Sequence, residues 1–190
     1  MIRILSLLPF LLLLGEFQTP KQKLEIETVQ SKNDTIFWAK EMKLTRADFH
    51  APEPRRTPYA GYSTTVILMD YEVESQQKKL IQAKFNIRAG FNKKKSWISE
   101  SSRSNPDRIL MHEQVHFDIS ELTARRLRVS LEKNRFSANF RKEIAQIYED
   151  QIEKGQEMQE KYDRETKHGL DREKQKQWEL KVSQLLEEEV

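Results

Sequence analysis

With 190 residues, 33 basic and 30 acidic side chains and a net charge of +3, the chain has enough length for one compact domain and lacks the concentrated basic stripe of nucleic-acid readers. Cysteine is absent, which excludes disulfides, thiolate metal sites and a lipid-modified cysteine, and leaves His, Asp and Glu as ligands for any catalytic metal. The mean hydropathy of −0.80 calls for a modest core.

Met1-Ile2-Arg3 followed by the apolar run Ile4 to Leu14 reads as an export signal over residues 1–19, although Gly15-Glu16-Phe17 is a poor match to a small-x-small cleavage site. The run is shorter than the roughly 20 apolar residues a spanning helix needs, so a secreted or periplasmic chain is expected, without stable membrane insertion after cleavage. Residues 20–190 then make a single domain. Lys21 to Asp34 is a polar lead-in with a short strand at Leu24 to Val29, and Ile36-Phe37-Trp38 opens the ordered part. Pro52, Pro54 and Pro58 disfavour helix and central strand, which makes this stretch an extended surface loop.

Ser63 to Val73 is rich in β-branched and large apolar residues, as half-buried strands are. Ile81, Ala83, Phe85 and Ile87 alternate with polar residues, the period of a strand with one buried face. Glu74 to Lys79 joins the two as a hairpin loop, and Ser96-Trp97-Ile98 adds a short third strand. From Asn105 the pattern turns helical. Ser104 or Asn105 can cap, Pro106 suits the first helical position, and the helix is expected to run to about Lys133. A second helix starts near Phe136 and carries the stripe Phe140, Ile144, Ile147, Tyr148, Ile152, Met158 and Tyr162, before Gly169 marks its end. A last helix places Trp178, Val182, Leu185 and Leu186 on one face. Strands followed by helices predict an α+β fold, a small antiparallel sheet followed by a zincin-like active-site helix and two further long helices.

His112-Glu113-Gln114-Val115-His116 carries the chemistry. Residues four apart on a helix stack on one face, so both imidazoles can meet one ion while Glu113 reaches the attacking water as general base. Ile109, Leu110, Val115, Ile119 and Leu122 give that helix its apolar faces. Catalytic zinc takes three protein ligands and keeps one position open, so a third must come from elsewhere. Asp118 and Glu121 lie about 200° and 140° around the helix from His116 and cannot share its face. His168, His50, Glu143 and Glu149 remain. Of these, His168 ends a helix able to return antiparallel to the first, and Asp163 or Thr166 is near enough to accept from its far nitrogen.

His112-Glu113-Gln114-Val115-His116-Phe117-Asp118-Ile119, then Ala124-Arg125-Arg126-Leu127 and Tyr162-Asp163-x-x-Thr166-x-His168-Gly169, resemble a little-characterised bacterial family of predicted secreted zinc-dependent proteases, much of it described as a domain of unknown function. Leu44-Thr45-x-x-Asp48-Phe49 and Ser96-Trp97 also resemble it. The likeness covers most of the chain after residue 36 and implies a zinc ion held by His112, His116 and His168.

The expectation is therefore a zinc metallopeptidase acting on a peptide or protein substrate. Glu113 serves as general base to a zinc-bound water, and Tyr162 is a candidate to stabilise the oxyanion. An edge strand, Ile81 to Arg88 or the Trp97 segment, would align the peptide. The rival reading is a non-catalytic secreted interaction protein that presents the Trp178, Val182, Leu185 stripe to a partner.

Overall fold

The computed structural model describes residues 34–77, 80–99 and 106–188. The expected export signal, the Leu24 to Val29 strand and the Ser104 or Asn105 cap lie outside the described residues. The architecture is α+β: β1 (Thr35–Phe37), β2 (Gly61–Tyr62), β3 (Thr65–Gln77), β4 (Leu80–Asn92) and β5 (Trp97–Ile98) precede α1 (Pro106–Glu132), α2 (Phe140–Thr166) and α3 (Arg172–Glu188). None of the described helices is long and apolar enough to cross a membrane.

β1, β4 and β3 form an antiparallel sheet in that order, and β2 pairs with β5 in a separate ribbon. The alternation that marked the strands sorts their faces. Thr65, Ile67, Met69 and Tyr71 on β3, with Ile81, Phe85, Ile87, Ala89 and Phe91 on β4, are all buried. The hairpin is longer than its polar composition suggested. Pairing continues past a bulge at Val73/Ser75 to Gln77 opposite Leu80, because backbone pairing does not require apolar side chains.

α1 packs between two cores. Phe117, Ala124, Leu127 and Leu131 face the sheet, whereas Val115, Ile119 and Leu122 meet Tyr162 of α2 and Trp178, Val182 and Leu186 of α3. Of the stripe that could have served a partner, Trp178 and Val182 are thus buried inside the molecule and Leu185 is partly buried against the same cluster. α2 starts four residues later than expected. Phe136 instead exchanges backbone hydrogen bonds with Ile81 (2.7 and 3.2 Å) and seats its buried ring against Phe85, so the helix begins only after a turn at Ala138 and Asn139.

Candidate metal centre

The pentad lies where α1 is buried on nearly every side, so each polar group there needs a partner. Its middle residue is structural. Gln114 Oε1 accepts from the Leu44 backbone N–H (2.8 Å) and its amide nitrogen donates to Asp118 Oδ1 (2.8 Å), which also accepts from Trp38 Nε1 (2.8 Å). The segment before β2 is anchored in the same way: the Thr45 N–H and hydroxyl both donate to Asp48 Oδ2 (2.8 Å each).

α2 reaches the pentad because Gly155 lets it approach. A Cβ at Gly155 would lie 2.5 Å from Thr123 Oγ1 of α1. Gln159, Tyr162, Asp163 and Thr166 follow at helical spacing and meet α1 in turn. There Asp163 Oδ1 stands 3.1 Å from His112 Nε2 and 3.0 Å from His116 Nε2, and the two Nε2 atoms are 3.2 Å apart. Among the described residues these three form a group able to hold a metal ion.

The surrounding amides assign which nitrogen of each ring carries hydrogen. Gln159 donates through its Nε2 to the His116 carbonyl (2.8 Å) and to Ser120 Oγ (3.2 Å), which turns its oxygen toward His116 Nδ1 at 2.6 Å. Gln175 of α3 donates to Glu179 Oε1 (2.9 Å), which leaves its oxygen 3.1 Å from His112 Nδ1. Each Nδ1 therefore donates to an amide oxygen, and each Nε2 turns its lone pair inward. Two lone pairs and a carboxylate oxygen converge with only acceptors facing one another. Such a cluster is repulsive unless a proton or a cation sits within it. Nitrogen and oxygen ligands about 2.0–2.1 Å from a tetrahedral zinc ion lie roughly 3.3 Å from one another, close to the spacing found. The donor set fits zinc.

Burial works against charge on His116, but the hydrogen bond and charge of Asp163, with Glu113 beyond, outweigh it and hold the imidazole above its ordinary pKa. Burial likewise opposes the Asp163 charge, yet contact with His112 and His116 holds its carboxyl well below the usual carboxylate range.

His112, His116, Asp163 and Glu113 border a cleft of about 490 Å³. One wall is the Pro58–Ser63 segment that enters β2. A Cβ at Gly61 would lie 2.8 Å from Ile109 Cγ2 and 3.1 Å from Glu113 Oε1, so only glycine lets this strand pass so close to the carboxylate. The opposite wall is the turn after α2, where Lys167 (φ 51°), His168 (φ 54°) and Gly169 (φ 76°) are all left-handed. Two consecutive non-glycine residues in that region cost about 1–2 kcal/mol each. The turn is held by His168 N–H to the Asp163 carbonyl (2.9 Å), Asp171 N–H to the Thr166 carbonyl (2.8 Å) and Gly169 N–H to Thr166 Oγ1 (3.2 Å). Gly169 sits on His112, where a Cβ would meet Cγ and Nδ1 at 3.1 Å.

The structure thus brings His112, His116 and Glu113 together as the pentad implied. His168 reaches the lip of the same cleft, with Nδ1 3.5 Å from Asp163 Oδ1, its side chain half exposed and its ring edge-on to Tyr59, but it lies outside the converging triad. Tyr162 is fully buried. Its ring stacks on His112 at 4.7 Å, and its hydroxyl lies 2.8 Å from Gln175 Oε1 and 3.2 Å from the His112 carbonyl, behind the ligands and away from the cleft lining. Burial pushes its pKa far up, so it stays a protonated donor. His50 is exposed beside the Ala47 carbonyl, Glu143 accepts from the Ser137 N–H at the start of α2, and Glu149 is exposed; none borders the cleft. Of the strands expected to align a peptide, Ile81 to Arg88 belongs to β4, the middle strand of its sheet and so not an edge; Trp97 of β5 pairs with Tyr62 and does not line the cleft, along which β2 runs. Asp163 as a converging ligand atom, and Gln159 and Gln175 as its support, were not read from the sequence. The available signal was polar residues on otherwise buried helix faces: Gln159 four before Asp163, and Gln175 one turn before Trp178.

No curated protein and no solved structure matches the chain. A family match runs from Trp38 to Gly169, through His112, Glu113, His116 and Asp163 but short of Leu170 and Gln175: over residues 38–169 the chain belongs to the bacterial family described as bacterial protein of unknown function, DUF922.

Proposed function

We propose that this chain is a zinc-dependent hydrolase acting on peptide bonds, with His112, His116 and Asp163 as the metal-holding residues and Glu113 as general base. The observation that carries the proposal is the convergence of three lone-pair donors, each ring fixed from behind by an amide oxygen, at the base of an open cleft. Asp163 takes the place that the family resemblance implied for His168, which stands beside it facing the cleft. A zinc ion held there would polarise the scissile carbonyl and acidify the attacking water. Glu113, buried at 3% exposure beside Gly61, would take a proton from that water and return it to the leaving nitrogen. Tyr162, Gln159 and Gln175 hold the imidazoles in orientation. The apolar N-terminus that reads as an export signal supports a secreted or periplasmic site for this activity.

The test compares zinc-loaded wild type with Glu113→Gln on an unfolded protein substrate, with products followed by mass spectrometry. The variant is expected to bind zinc as before and to lose roughly 10²–10⁴-fold in rate. Undiminished hydrolysis by Glu113→Gln, or no hydrolysis by the zinc-loaded wild type, overturns the reading.

A further inference from the structure

The cleft walls place apolar surface in water beside the converging ligands. Among the described residues, six large apolar side chains are exposed, and two of them, Tyr59 at 46% and Leu170 at 64%, line this one cleft. They come from opposite walls, Tyr59 from the segment entering β2 and Leu170 from the end of the left-handed turn. Scattered exposed apolar residues need no explanation, but two lining one concave site do. Neither wall is a loose loop. The Tyr59 ring rests edge-on against His168 at 5.0 Å between centroids, and the turn that presents Leu170 is tied to Asp163 and Thr166 and packed on His112. The segments that carry this apolar surface are therefore anchored beside His112 and Asp163, as the walls of a preformed binding site are.

We infer that the cleft selects an extended peptide by one large apolar side chain, of the leucine or phenylalanine class, seated between Tyr59 and Leu170. The position of that side chain next to a bond to be cut rests on the hydrolase proposal; the binding preference does not. Covering Tyr59 and Leu170 removes apolar area from water on both partners, which a small polar side chain cannot do. Arg108 and Lys167 also border the cleft and would instead favour an acidic side chain or a free carboxylate, so the two chemistries make opposite predictions.

The experiment uses the full chain carrying Glu113→Gln, loaded with zinc, and fluorescein-labelled, C-terminally amidated glycine-rich peptides with a single central Phe, Leu, Ser or Glu. Anisotropy titration should give Phe and Leu peptides roughly tenfold tighter binding than Ser. Adding Leu170→Ser or Tyr59→Ser should erase most of that advantage. Leu180→Ser, which removes an equally exposed leucine on α3 outside the cleft, should keep it. Equal binding of all four peptides, no binding of any, or tighter binding of Glu than Phe overturns the inference. Wild-type cleavage of the same peptides separates the two claims. Tight but uncut Phe peptides would sink the hydrolase and spare the preference, whereas cleavage of all four alike, without graded binding, would do the reverse.

Discussion

Gln159→Leu removes one support of the proposed site while keeping side-chain volume and helix propensity nearly constant. In the native chain this amide accepts from His116 Nδ1 at 2.6 Å and is itself oriented by bonds to the His116 carbonyl and Ser120 Oγ. With leucine there, the buried Nδ1–H has no acceptor, and the ring is free to exchange tautomers and turn its lone pair away from the centre. Loss of such an outer partner weakens metal affinity by roughly 10- to 100-fold, or about 1.4–2.7 kcal/mol. An unpaired buried donor also destabilises the metal-free fold by about 1–3 kcal/mol. Zinc affinity is measured by competition with a chromophoric chelator, and metal-free stability by urea unfolding. Gln146→Leu, which alters an exposed glutamine of the same helix bonded to Asp150, is the control and should change neither. A folded Gln159→Leu chain that binds zinc as tightly as wild type would refute the assignment of His116 Nε2 as the metal-facing nitrogen.

Two other perturbations read the site differently. Tyr162→Phe keeps the ring stacked on His112 but deletes the bond to Gln175, so unfolding free energy should fall by about 1 kcal/mol with turnover little changed. Turnover slowed by roughly two orders of magnitude or more, with stability intact, would mean that the hydroxyl acts on the substrate. For pH, the raised His116 pKa adds metal-free stability that is complete below about 6.5 and lost as pH rises through the raised value. The lowered Asp163 pKa adds stability that is present above about 4 and lost as pH falls through the depressed value. The metal-free chain should therefore melt highest in the mildly acidic window between them. Zinc must displace the His116 proton, so its affinity should fall as pH drops through the raised His116 pKa. Chelator-treated melting curves and zinc titrations across that range check both, and pH-independent zinc binding would contradict the picture.

Much of this was legible along the chain. The odd-numbered apolar residues of β3 and β4 declared their buried face, and Pro106 with the run from Ile109 to Leu131 declared α1, because in each case one periodicity settles both local conformation and burial. The pentad set His112 and His116 on one face for the same reason, since its geometry is internal to one helix. The carboxylate that meets them is a matter of how two helices cross. Asp163 reaches the His112 and His116 rings only because Gly155 lies against Thr123, and nothing within α2 reports that approach. His168, which the resemblance implied as a ligand, stands at the lip of the cleft with Nδ1 3.5 Å from Asp163 Oδ1, on a turn whose backbone is left-handed at 167–169. The block Tyr162-Asp163-x-x-Thr166-x-His168-Gly169 now has a physical reading: Tyr162 braces His112, Asp163 joins the cluster, Thr166 fastens the helix end, and Gly169 packs on the His112 ring. Gln175 was hidden differently. It lies on α3, beyond the matched span, and a lone glutamine on an apolar stripe carries no mark of what its oxygen faces.

The central claim is that three particular side chains share one cation. Zinc per chain, measured by elemental mass spectrometry on the purified full chain and on His112→Ala, Asp163→Ala and His168→Ala, tests it most directly. The account predicts about one zinc in wild type and in His168→Ala and little in the other two, with all four folded. A folded wild type without zinc, or zinc kept by Asp163→Ala and lost from His168→Ala, would contradict it.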